Sequence, residues 1–558
     1  MRKKAFWKWA VILCVLAVQC CFVSRKEGYH MDELLSFELS NAEFNPWIIP
    51  TQPVGRLAKF VKEEIRGESF GETMSNLVAE VKDVIENRGQ SKMLQYKADV
   101  YTEPVWIDAK QFTDYLTAGK EDRFNYLSVY FNVKDDNHPP LHFMLLHTMS
   151  SLFPGRVAPY LGCAINMLAV LGCILCFFRL GELFAEQGFL SAEAGTFFSC
   201  LAGLLYGLSQ GGVATVLLIR MYGMVTFFCV ALFTIHVKKW FEAGFEKKNK
   251  LLGTVTALGF LTQYFFLFYC LALAAVTAGG LLVKKRYREL VSYIRCMAFA
   301  GAAGVALFPF AIADVLSSER GVEALGNLGS GFAGLHTRLS AFGQILLQRL
   351  FGHPAVGLVI LICLVVAVVL LLYRGKKEET SLWLMLVVPF ACYFLFAARM
   401  SPYLVDRYIM PLFPFAALIC ALVLAKLFQE SFWRGARRKS RYLLALPALI
   451  LCVANLCFYD GSYLYQGYER QLEVARQHQD LPCVCIYEGT RYYYNLMEFT
   501  WYEKTLLTTL PQLEERQDVE ELAAFQSLVI LKKSNFTREE FDRMLARQTD
   551  AVWPPEQG

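Results

Sequence analysis

The stretch KDDNHPPLHFMLLHTMSSLFPG, residues 134–155, decides how the chain is laid out. Two acids, an asparagine and a histidine lead into a proline pair, and a mostly apolar run follows. The run, residues 141–153, is shorter than the about 20 residues that a membrane-spanning helix needs. Apolar residues recur in it at helical spacing, at Leu141, Met144, Leu145, Met149 and Leu152. This pattern predicts an amphipathic helix that lies on the membrane surface.

Two basic segments set the orientation of the chain. They are HVKKWFEAGFEKKNK at 236–250 and VKKRYRELVSYIR at 283–295. If residues 141–153 crossed the membrane, both segments would face outward, against the excess of Lys and Arg that cytoplasmic loops carry. We therefore expect a cytoplasmic N-terminus, a first span at 7–23 and a long outer segment at 24–156.

Composition places the chain among polytopic membrane proteins. Of its 558 residues 55% are hydrophobic and only 19% are charged, below the charge of an average soluble domain. The net charge of +5 is small, and the basic residues stand beside apolar runs. That distribution indicates membrane topology and argues against nucleic-acid binding.

The predicted fold class is an α-helical polytopic membrane protein with a small C-terminal α/β domain. About eleven spans are expected, near 7–23, 157–178, 194–216, 221–237, 251–263, 264–283, 292–313, 355–373, 380–398, 407–426 and 442–458. Residues 1–313 form a seven-span module, residues 314–458 add an outer loop and four spans, and residues 459–558 form an outer domain. In that domain PCVCIYEG, KTLLTTL and SLVILKK are typical of strands, and DVEELAAF and TREEFDRMLARQ of helices.

Two acid-bearing motifs stand beside the membrane. Asp32 and Glu33 begin a short predicted helix, whose lipid side would carry Leu34, Leu35 and Leu39. A carboxylate held there could act as a general base, although acids are also favoured at the beginning of any helix. Asp136 and His138 precede Pro139 and Pro140, a stiff beginning for the surface helix. The proline pair breaks the helix between His138 and His142, which argues against a metal pair there, and metal dependence is left open.

Arginines stand at the outer ends of two spans. Arg220 lies in VLLIRMYGMVTFF and Arg407 in RMSPYLVDRYIMPLFPF. A guanidinium so close to lipid suits a phosphate ligand, and snorkelling to the headgroups is the alternative. Acids, a histidine and arginines on one face indicate a substrate with a phosphate at headgroup depth, such as a lipid-linked phosphosugar.

These residues resemble a known family, the polytopic glycosyltransferases of the GT-C class. The resemblance is to the protein O-mannosyltransferase and aminoarabinose transferase group, which is glycosyltransferase family 39-like. It rests on Asp32-Glu33 after the first span and on Asp136-Asn137-His138-Pro139-Pro140-Leu141. It rests also on Arg220-Met221-Tyr222 and on Arg407-Tyr408 with Pro411 and Pro414, and it covers residues 1–430.

The resemblance implies inverting transfer of a sugar from a polyprenyl-phosphate donor to a protein, lipid or glycan acceptor at the outer face of the plasma (inner) membrane. Asp32 would be the catalytic base, and Glu33, Asp136 and His138 would support it or orient the acceptor. Arg220, Tyr222 and Arg407 would bind the donor phosphate. No cofactor is implied with certainty, and a divalent metal stays open.

Two questions remain at this level. The insertion at 45–130 is long for the family. The role of this insertion and that of the C-terminal domain are both undefined, and so the acceptor is too. The main alternative function is a transporter or flippase of lipid-linked saccharides, which predicts ionisable groups near the bilayer midplane and paired, interrupted helices. Here the charges stand at the ends of spans and the halves show no repeat, which favours the enzyme.

Overall fold

A computed structural model of the chain describes residues 2–533 with gaps, together with 537 and 539. The gaps are 46–47, 49–55, 89, 91, 93–103, 247–248, 317, 330–333, 375–376, 430–442, 444–445, 460–468, 516–521 and 523–524. The predicted helix at 537–548 and most of that at 518–525 lie outside the described residues.

The described residues are mostly helical. The first twelve α-helices are α1 (Arg2–Val23), α2 (Met31–Asn41), α3 (Arg56–Phe60), α4 (Phe70–Glu86), α5 (Ala109–Leu116), α6 (Tyr126–Asn132), α7 (Leu141–Leu152), α8 (Pro159–Glu186), α9 (Ala192–Gly207), α10 (Gln210–Leu217), α11 (Tyr222–Phe241) and α12 (Lys250–Phe260). They continue with α13 (Phe266–Val283), α14 (Tyr287–Leu307), α15 (Ala311–Leu316), α16 (Glu319–Gly329), α17 (Leu335–Phe351), α18 (Pro354–Arg374), α19 (Lys377–Met400), α20 (Leu412–Gln429), α21 (Leu446–Cys457), α22 (Glu469–Gln477), α23 (Leu496–Phe499) and α24 (Leu510–Glu515). A π-helix covers Val61–Ile65, and 3-10 turns cover Val133–Asp135, Asp406–Ile409 and Arg491–Asn495.

Membrane-spanning helices make up the body of the protein, as predicted. Within the described ranges seven helices are long and apolar enough to cross a bilayer, namely α1, α8, α11, α13, α14, α19 and α20. The number rises to nine if each of two bent pairs is one span: α9 with α10, at 58°, and α17 with α18, at 92°. The predicted span at 251–263 is not among them, because its helix α12 has 11 residues, which at 1.5 Å per residue reach only about 17 Å. The predicted span at 442–458 lies partly outside the described residues, which include α21 as its later part.

The opening stretch forms a surface helix, as expected. α7 has 12 residues, too few to cross a bilayer. Its His142, His147 and Ser150 are buried in the protein, whereas Leu145 and Leu152 are 38% and 53% exposed. The side of α7 that packs on the protein also carries the apolar Phe143 and Leu146, both fully buried, so its exposed apolar surface is limited to residues such as Leu145 and Leu152.

The acidic motif and the basic loops lie at opposite ends of the spans. α11 begins at Tyr222, two residues after Arg220, and carries Lys238 and Lys239 in its last turn. Its 20 residues extend about 30 Å. α14 begins beside the second basic loop, and at its other end the Leu307 carbonyl accepts a hydrogen bond from Tyr130 of the outer segment, at 3.1 Å. This arrangement agrees with the charge-based topology, while the sidedness itself stays a prediction.

Close helix packing in the membrane region depends on small residues. α8 and α9 meet at two glycines, where a Cβ atom on Gly181 would lie 2.5 Å from the carbonyl oxygen of Gly195. Any larger side chain at Gly181 would force the helices apart. The contact fixes α9, which continues through a bend into α10 and Arg220.

The described residues also form a four-stranded sheet. Its strands are β1 (Trp106–Asp108), β2 (Cys483–Tyr487), β3 (Lys504–Thr508) and β4 (Val529–Lys533), in the order β1-β3-β2-β4. The three predicted strands are confirmed as β2, β3 and β4, which pair in parallel. β1 comes from the outer segment and pairs antiparallel with β3. The insertion and the C-terminal residues thus share one sheet.

Candidate active site

α2 begins with a tight network of hydrogen bonds around its first turn. His30 is the N-cap residue, and its Nδ1 accepts from the backbone N–H of Asp32 at 3.2 Å. The Glu33 carboxylate accepts from the backbone N–H of His30 at 2.7 Å. This reciprocal pair is a capping box. It fixes Asp32 in the first turn, where the helix dipole favours a negative charge.

Glu33 ties this turn to the rest of the protein. Its side chain is 1% exposed, and Oε2 lies 3.0 Å from Lys26 Nζ. Its Oε1 accepts from the backbone N–H of Ile219 at 2.8 Å, which joins α2 to the segment between α10 and α11. Because all its bonds go to protein groups, its geometry suits a positioning role. Leu34 and Leu39 are each 1% exposed, so the expectation that they face lipid is wrong. They pack in the protein core.

Asp32 stands between two arginines that come from distant parts of the chain. Nη1 of Arg407 donates to Oδ2 of Asp32. Nη1 of Arg220 donates to the Asp32 carbonyl at 3.2 Å and to Ser36 Oγ at 3.0 Å. His30 Nδ1 lies 3.6 Å from the same carboxylate oxygen, and the Asp32 side chain as a whole is 18% exposed. The site therefore presents a reachable carboxylate flanked by two guanidinium groups.

Asp136 and His138 join the site from the stretch before α7. His138 Nδ1 lies 3.0 Å from Asp136 Oδ2 and 3.4 Å from Arg220 Nη2. One ring nitrogen cannot donate to the carboxylate and accept from the guanidinium together. The shorter contact favours an Nδ1–H that donates to Asp136. His138 Nε2 is then the ring nitrogen left to meet a substrate.

Two acids of the site, Asp32 and Asp136, are held in their charged form. Burial alone would raise the pKa of Asp32, but Arg220 and Arg407 together with the two histidines lower it below its usual value. Burial would likewise raise the pKa of Asp136, and His138 and Arg220 lower it. The pKa of His30 is lowered, first by its burial. At neutral pH the site thus combines two carboxylates, two guanidinium groups and a neutral His30.

Tyr222 and Arg407 form the membrane side of the site. Tyr222 begins α11, is buried, and meets the ring of Tyr408 edge to face at 6.3 Å. Arg407 lies on the 3-10 turn at Asp406–Ile409, with its guanidinium 5.5 Å from the Tyr408 ring. Burial would lower the pKa of Arg407, whereas Tyr222 and Asp32 raise it above the ordinary arginine value. Arg407 therefore keeps its charge beside Asp32.

Five of the seven predicted site residues are linked by polar contacts around Asp32, namely Asp32 itself, Asp136, His138, Arg220 and Arg407. Among the residues that the structure describes, Glu33 and Tyr222 are not part of this network. Sequence reasoning missed His30 and Ser36. His30 stands three residues before Glu33, the spacing of a capping box. Ser36 stands one helical turn after Asp32 and was not distinguishable from an ordinary helix serine. In the part of the chain that the structure describes, no group of three or more His, Cys, Asp or Glu residues could hold a metal.

This chain is similar to known proteins in structure only. No family model and no curated protein matches the sequence. ArnT from Cupriavidus metallidurans in the apo state is 12% identical with a TM-score of 0.38, over 86% of this chain and 92% of that one. The same ArnT bound to undecaprenyl phosphate matches at 12% identity and a TM-score of 0.37, over 73% and 81%.

A third solved structure is the oligosaccharyltransferase of Archaeoglobus fulgidus in complex with zinc and sulfate. It is 12% identical with a TM-score of 0.37, over 86% of this chain and 62% of that one. With TM-scores below 0.5, these likenesses carry no argument about what this chain does. Any proposal must depend on the geometry around Asp32.

Proposed function

We propose that the chain is a membrane glycosyltransferase that moves a sugar from a polyprenyl-phosphate donor to an acceptor at the outer membrane face. One observation carries the proposal: Asp32, a partly exposed carboxylate with a lowered pKa, lies between Arg220 and Arg407 at the ends of membrane helices. A base beside two fixed cations is what transfer from a phosphate leaving group requires. The donor, the sugar and the acceptor are all part of the proposal.

The residues divide the chemistry between them. The acceptor hydroxyl gives its proton to Asp32 while its oxygen forms a bond to the anomeric carbon. The bond between that carbon and the phosphate oxygen breaks, and its electron pair leaves with the polyprenyl phosphate. Arg220 and Arg407 stabilise the charge that develops on this phosphate. Attack from the side opposite the leaving group inverts the anomeric configuration.

The remaining site residues position the reacting groups. Glu33 fixes the first turn of α2 through the capping box and through Ile219. Asp136 orients the ring of His138, and His138 Nε2 would contact the acceptor. Tyr222 packs beside Tyr408 and Arg407, where it would line the donor phosphate.

Transfer of radiolabel tests this function. Purified protein is incubated with radiolabelled polyprenyl-phosphate sugars and cell envelope. We expect transfer by the wild type and a loss of at least about 100-fold in Asp32→Asn, because a general base contributes 10²–10⁴-fold. Asp114→Asn is the matched control, since Asp114 is exposed and contacts Lys110 alone in the described structure. Equal transfer by wild type and Asp32→Asn would remove Asp32 from the mechanism.

A further outcome would favour the transporter alternative. If reconstituted protein moves labelled lipid-linked sugar across a vesicle membrane without forming a new glycosidic bond, the chain is a flippase. The enzyme proposal expects the opposite, a labelled product that resists mild acid and no change in lipid sidedness.

A further inference from the structure

Arg407 lies in a tight turn between two residues that are themselves fixed. In the 3-10 turn that begins at Asp406, successive side chains point about 120° apart, so Asp406, Arg407 and Tyr408 point in three directions. Arg407 reaches Asp32, and the ring of Tyr408 packs on that of Tyr222 at 6.3 Å. The contacts of Asp406 and Tyr408 therefore decide where Arg407 can reach.

Asp406 forms an ion pair with an arginine of α17. Nη2 of Arg349 lies 2.7 Å from Oδ2 of Asp406, and the two side chains are only 23% and 6% exposed. The guanidinium of Arg349 also lies 5.6 Å from the ring centre of Tyr459, and that ring meets Phe22 at the end of α1 at 5.8 Å. Because this pair is partly buried, salt and water screen it less than a surface pair.

α17 lies along the membrane surface beside this turn. α17 and α18 meet at a bend of 92°, so only one of them can follow the membrane normal. α18 is the apolar helix, and its Leu358, Val359 and Ile362 are 50%, 62% and 56% exposed, which suits contact with lipid. α17 carries Arg338 and Arg349. It is therefore the helix that lies flat, at the end of the spans where the turn of Arg407 stands.

α17 also holds the other end of the connection that leads to this turn. Arg338 precedes Arg349 by about three helical turns, or about 16 Å along the axis. Its Nε donates to the carbonyl of Ala398 at 2.6 Å. Its Nη2 donates to the Ser401 carbonyl and to Ser401 Oγ, the latter at 3.2 Å. The two arginines thus fix both ends of the segment 398–406, which joins α19 to the turn.

The ion pair also decides which carboxylate Arg407 can pair with. Asp406 and Arg407 are adjacent in the chain, and Asp406 is almost fully shielded from water. A shielded carboxylate that loses its cation is costly and favours any other cation within reach. Without Arg349, Asp406 would therefore compete with Asp32 for the guanidinium of Arg407.

We propose that Arg349 is a positioning residue of the active site, which neutralises Asp406 and so keeps Arg407 paired with Asp32. Its part in sugar transfer rests on the proposed function, whereas the placement of Arg407 beside Asp32 does not depend on it. The inference also gives α17, which lies beyond the seven-span module of residues 1–313, a part in building the site.

Chemical modification of Asp32 tests this placement without any substrate. Dicyclohexylcarbodiimide attacks protonated carboxyl groups, and mass spectrometry of the digested full-length chain measures how fast Asp32 is modified. At about pH 5.5 the rate follows the small protonated fraction of Asp32, which rises about tenfold for each unit by which its pKa rises. We expect Arg407→Gln to speed the modification up to about tenfold, and Arg349→Gln at least about threefold, because both remove a cation from Asp32.

A second substitution separates charge competition from a loss of packing. The double variant Arg349→Gln with Asp406→Asn removes the competing carboxylate, so its modification rate should return toward that of the wild type. A mere loss of packing would not be restored in this way. Arg349→Lys keeps the charge at a shorter reach and should show a smaller increase, so the test survives if Arg349→Gln does not fold. Asp136, 12% exposed in the same site, is the internal standard.

The radiolabel assay separates this inference from the proposed function. Arg349→Gln should lower kcat about tenfold, and the double variant should recover most of the loss. Arg179→Gln, at a partly exposed ion pair on α8, is the matched control and should match the wild type in both assays. If Asp32 modification responds as expected in a chain that transfers no sugar, the placement is supported and the proposed function is overturned. Unchanged modification in both Arg349 variants, or a double variant as fast as Arg349→Gln, would overturn the inference.

Discussion

Asp32 owes its readiness to accept a proton at neutral pH to the groups that surround it. Its burial favours the protonated acid, and the positive groups around it, above all Arg220 and Arg407, more than offset this effect. The carboxylate is therefore the resting form. Because the same cations lower its pKa, Asp32 stays ionised at neutral pH but is a weaker base.

A pH profile of Arg407→Gln measures this balance. The wild type should lose kcat/KM only as the pH falls below the ordinary aspartate pKa of 3.8, because the folded-state pKa is lowered. Removing Arg407 removes one of the two main cations, so the acid limb should move to higher pH by about one unit. Profiles between about pH 3 and 8 show the shift even where the variant is slow. An unchanged acid limb would mean that another group sets it.

Arg220 should be sensitive to shape as well as to charge. Its Nη1 donates to the Asp32 carbonyl and to Ser36 Oγ, its Nη2 lies 3.4 Å from His138 Nδ1, and the guanidinium lies 5.9 Å from the centre of the Phe143 ring. A lysine ammonium keeps the charge but cannot hold this fork of contacts. We expect Arg220→Lys to lower kcat by about 100-fold, as measured with the radiolabel assay. Arg179→Lys, at a partly exposed ion pair on α8, is the control and should be unaffected.

The sequence singled out residues that the structure brings together around Asp32, but it did not predict their contacts. An ionisable group beside an apolar run is energetically costly and therefore indicates a function. On this ground we identified Asp32, Asp136, His138, Arg220 and Arg407. That Arg407 would pair with Asp32, 375 positions away, could not be derived, since pairing depends on how the spans pack.

At the scale of elements, α2 depends on a buried ion pair. Glu33 bridges Lys26, His30 and Ile219. Glu33→Gln would leave the Lys26 charge buried without its partner, which costs about 3 kcal/mol or more. Thermal unfolding in detergent should therefore show a lower Tm. The double variant Lys26→Met with Glu33→Gln removes both charges and should recover part of the loss. A double variant less stable than Glu33→Gln would contradict this account.

The third acid of α2, Glu38, is linked to the C-terminal residues. Glu38 is fully buried, and its Oε1 accepts from the backbone N–H of Ile48 at 2.9 Å. The Ile48 carbonyl in turn accepts from Tyr492 Oη at 2.9 Å. Burial raises the pKa of Glu38 well above its usual value, so the folded protein holds the neutral acid.

This raised pKa makes stability depend on pH. A raised folded-state pKa contributes stability that is present below the unfolded value of 4.5 and is lost as the pH rises toward the folded-state pKa. Glu38→Gln cannot ionise, so its Tm relative to the wild type should increase as the pH rises from about 5 to 9. Glu473→Gln, at an exposed glutamate of α22, should show no such trend. A constant difference in Tm would mean that Glu38 does not titrate in this range.

The elements themselves were predicted where the pattern was long or strongly apolar. β2 is buried along Cys483–Ile486, which follows from its place between β3 and β4 and was visible as an apolar run. β1 has three residues, too few for any alternation to be seen. α12 was taken for a span because hydropathy does not show that its helix ends after 11 residues.

At the scale of the whole molecule, β1 makes the outer segment and the C-terminal residues one unit. Ile107 is buried and pairs with Thr505, and Phe112 packs on Phe499 at 5.1 Å between ring centres. A proline at position 107 would remove a backbone donor from this ladder. Ile107→Pro should increase hydrogen exchange in residues 504–508, whereas Leu145→Pro, on α7, should leave that segment protected. Unchanged exchange in Ile107→Pro would show that the sheet does not need β1.

The sidedness of the molecule is the assumption on which every functional proposal depends. Asp32 and the lysines of the last turn of α11 lie at opposite ends of the spans, and basic loops are retained in the cytoplasm. A reporter enzyme that is active only outside the cytoplasm should therefore be active when fused after Lys533 and inactive when inserted at Gly244, between the two basic runs. Activity at Gly244 alone would place Asp32 in the cytoplasm. The donor phosphate would then be bound from the cytoplasmic leaflet, and the acceptor would have to be a cytoplasmic molecule.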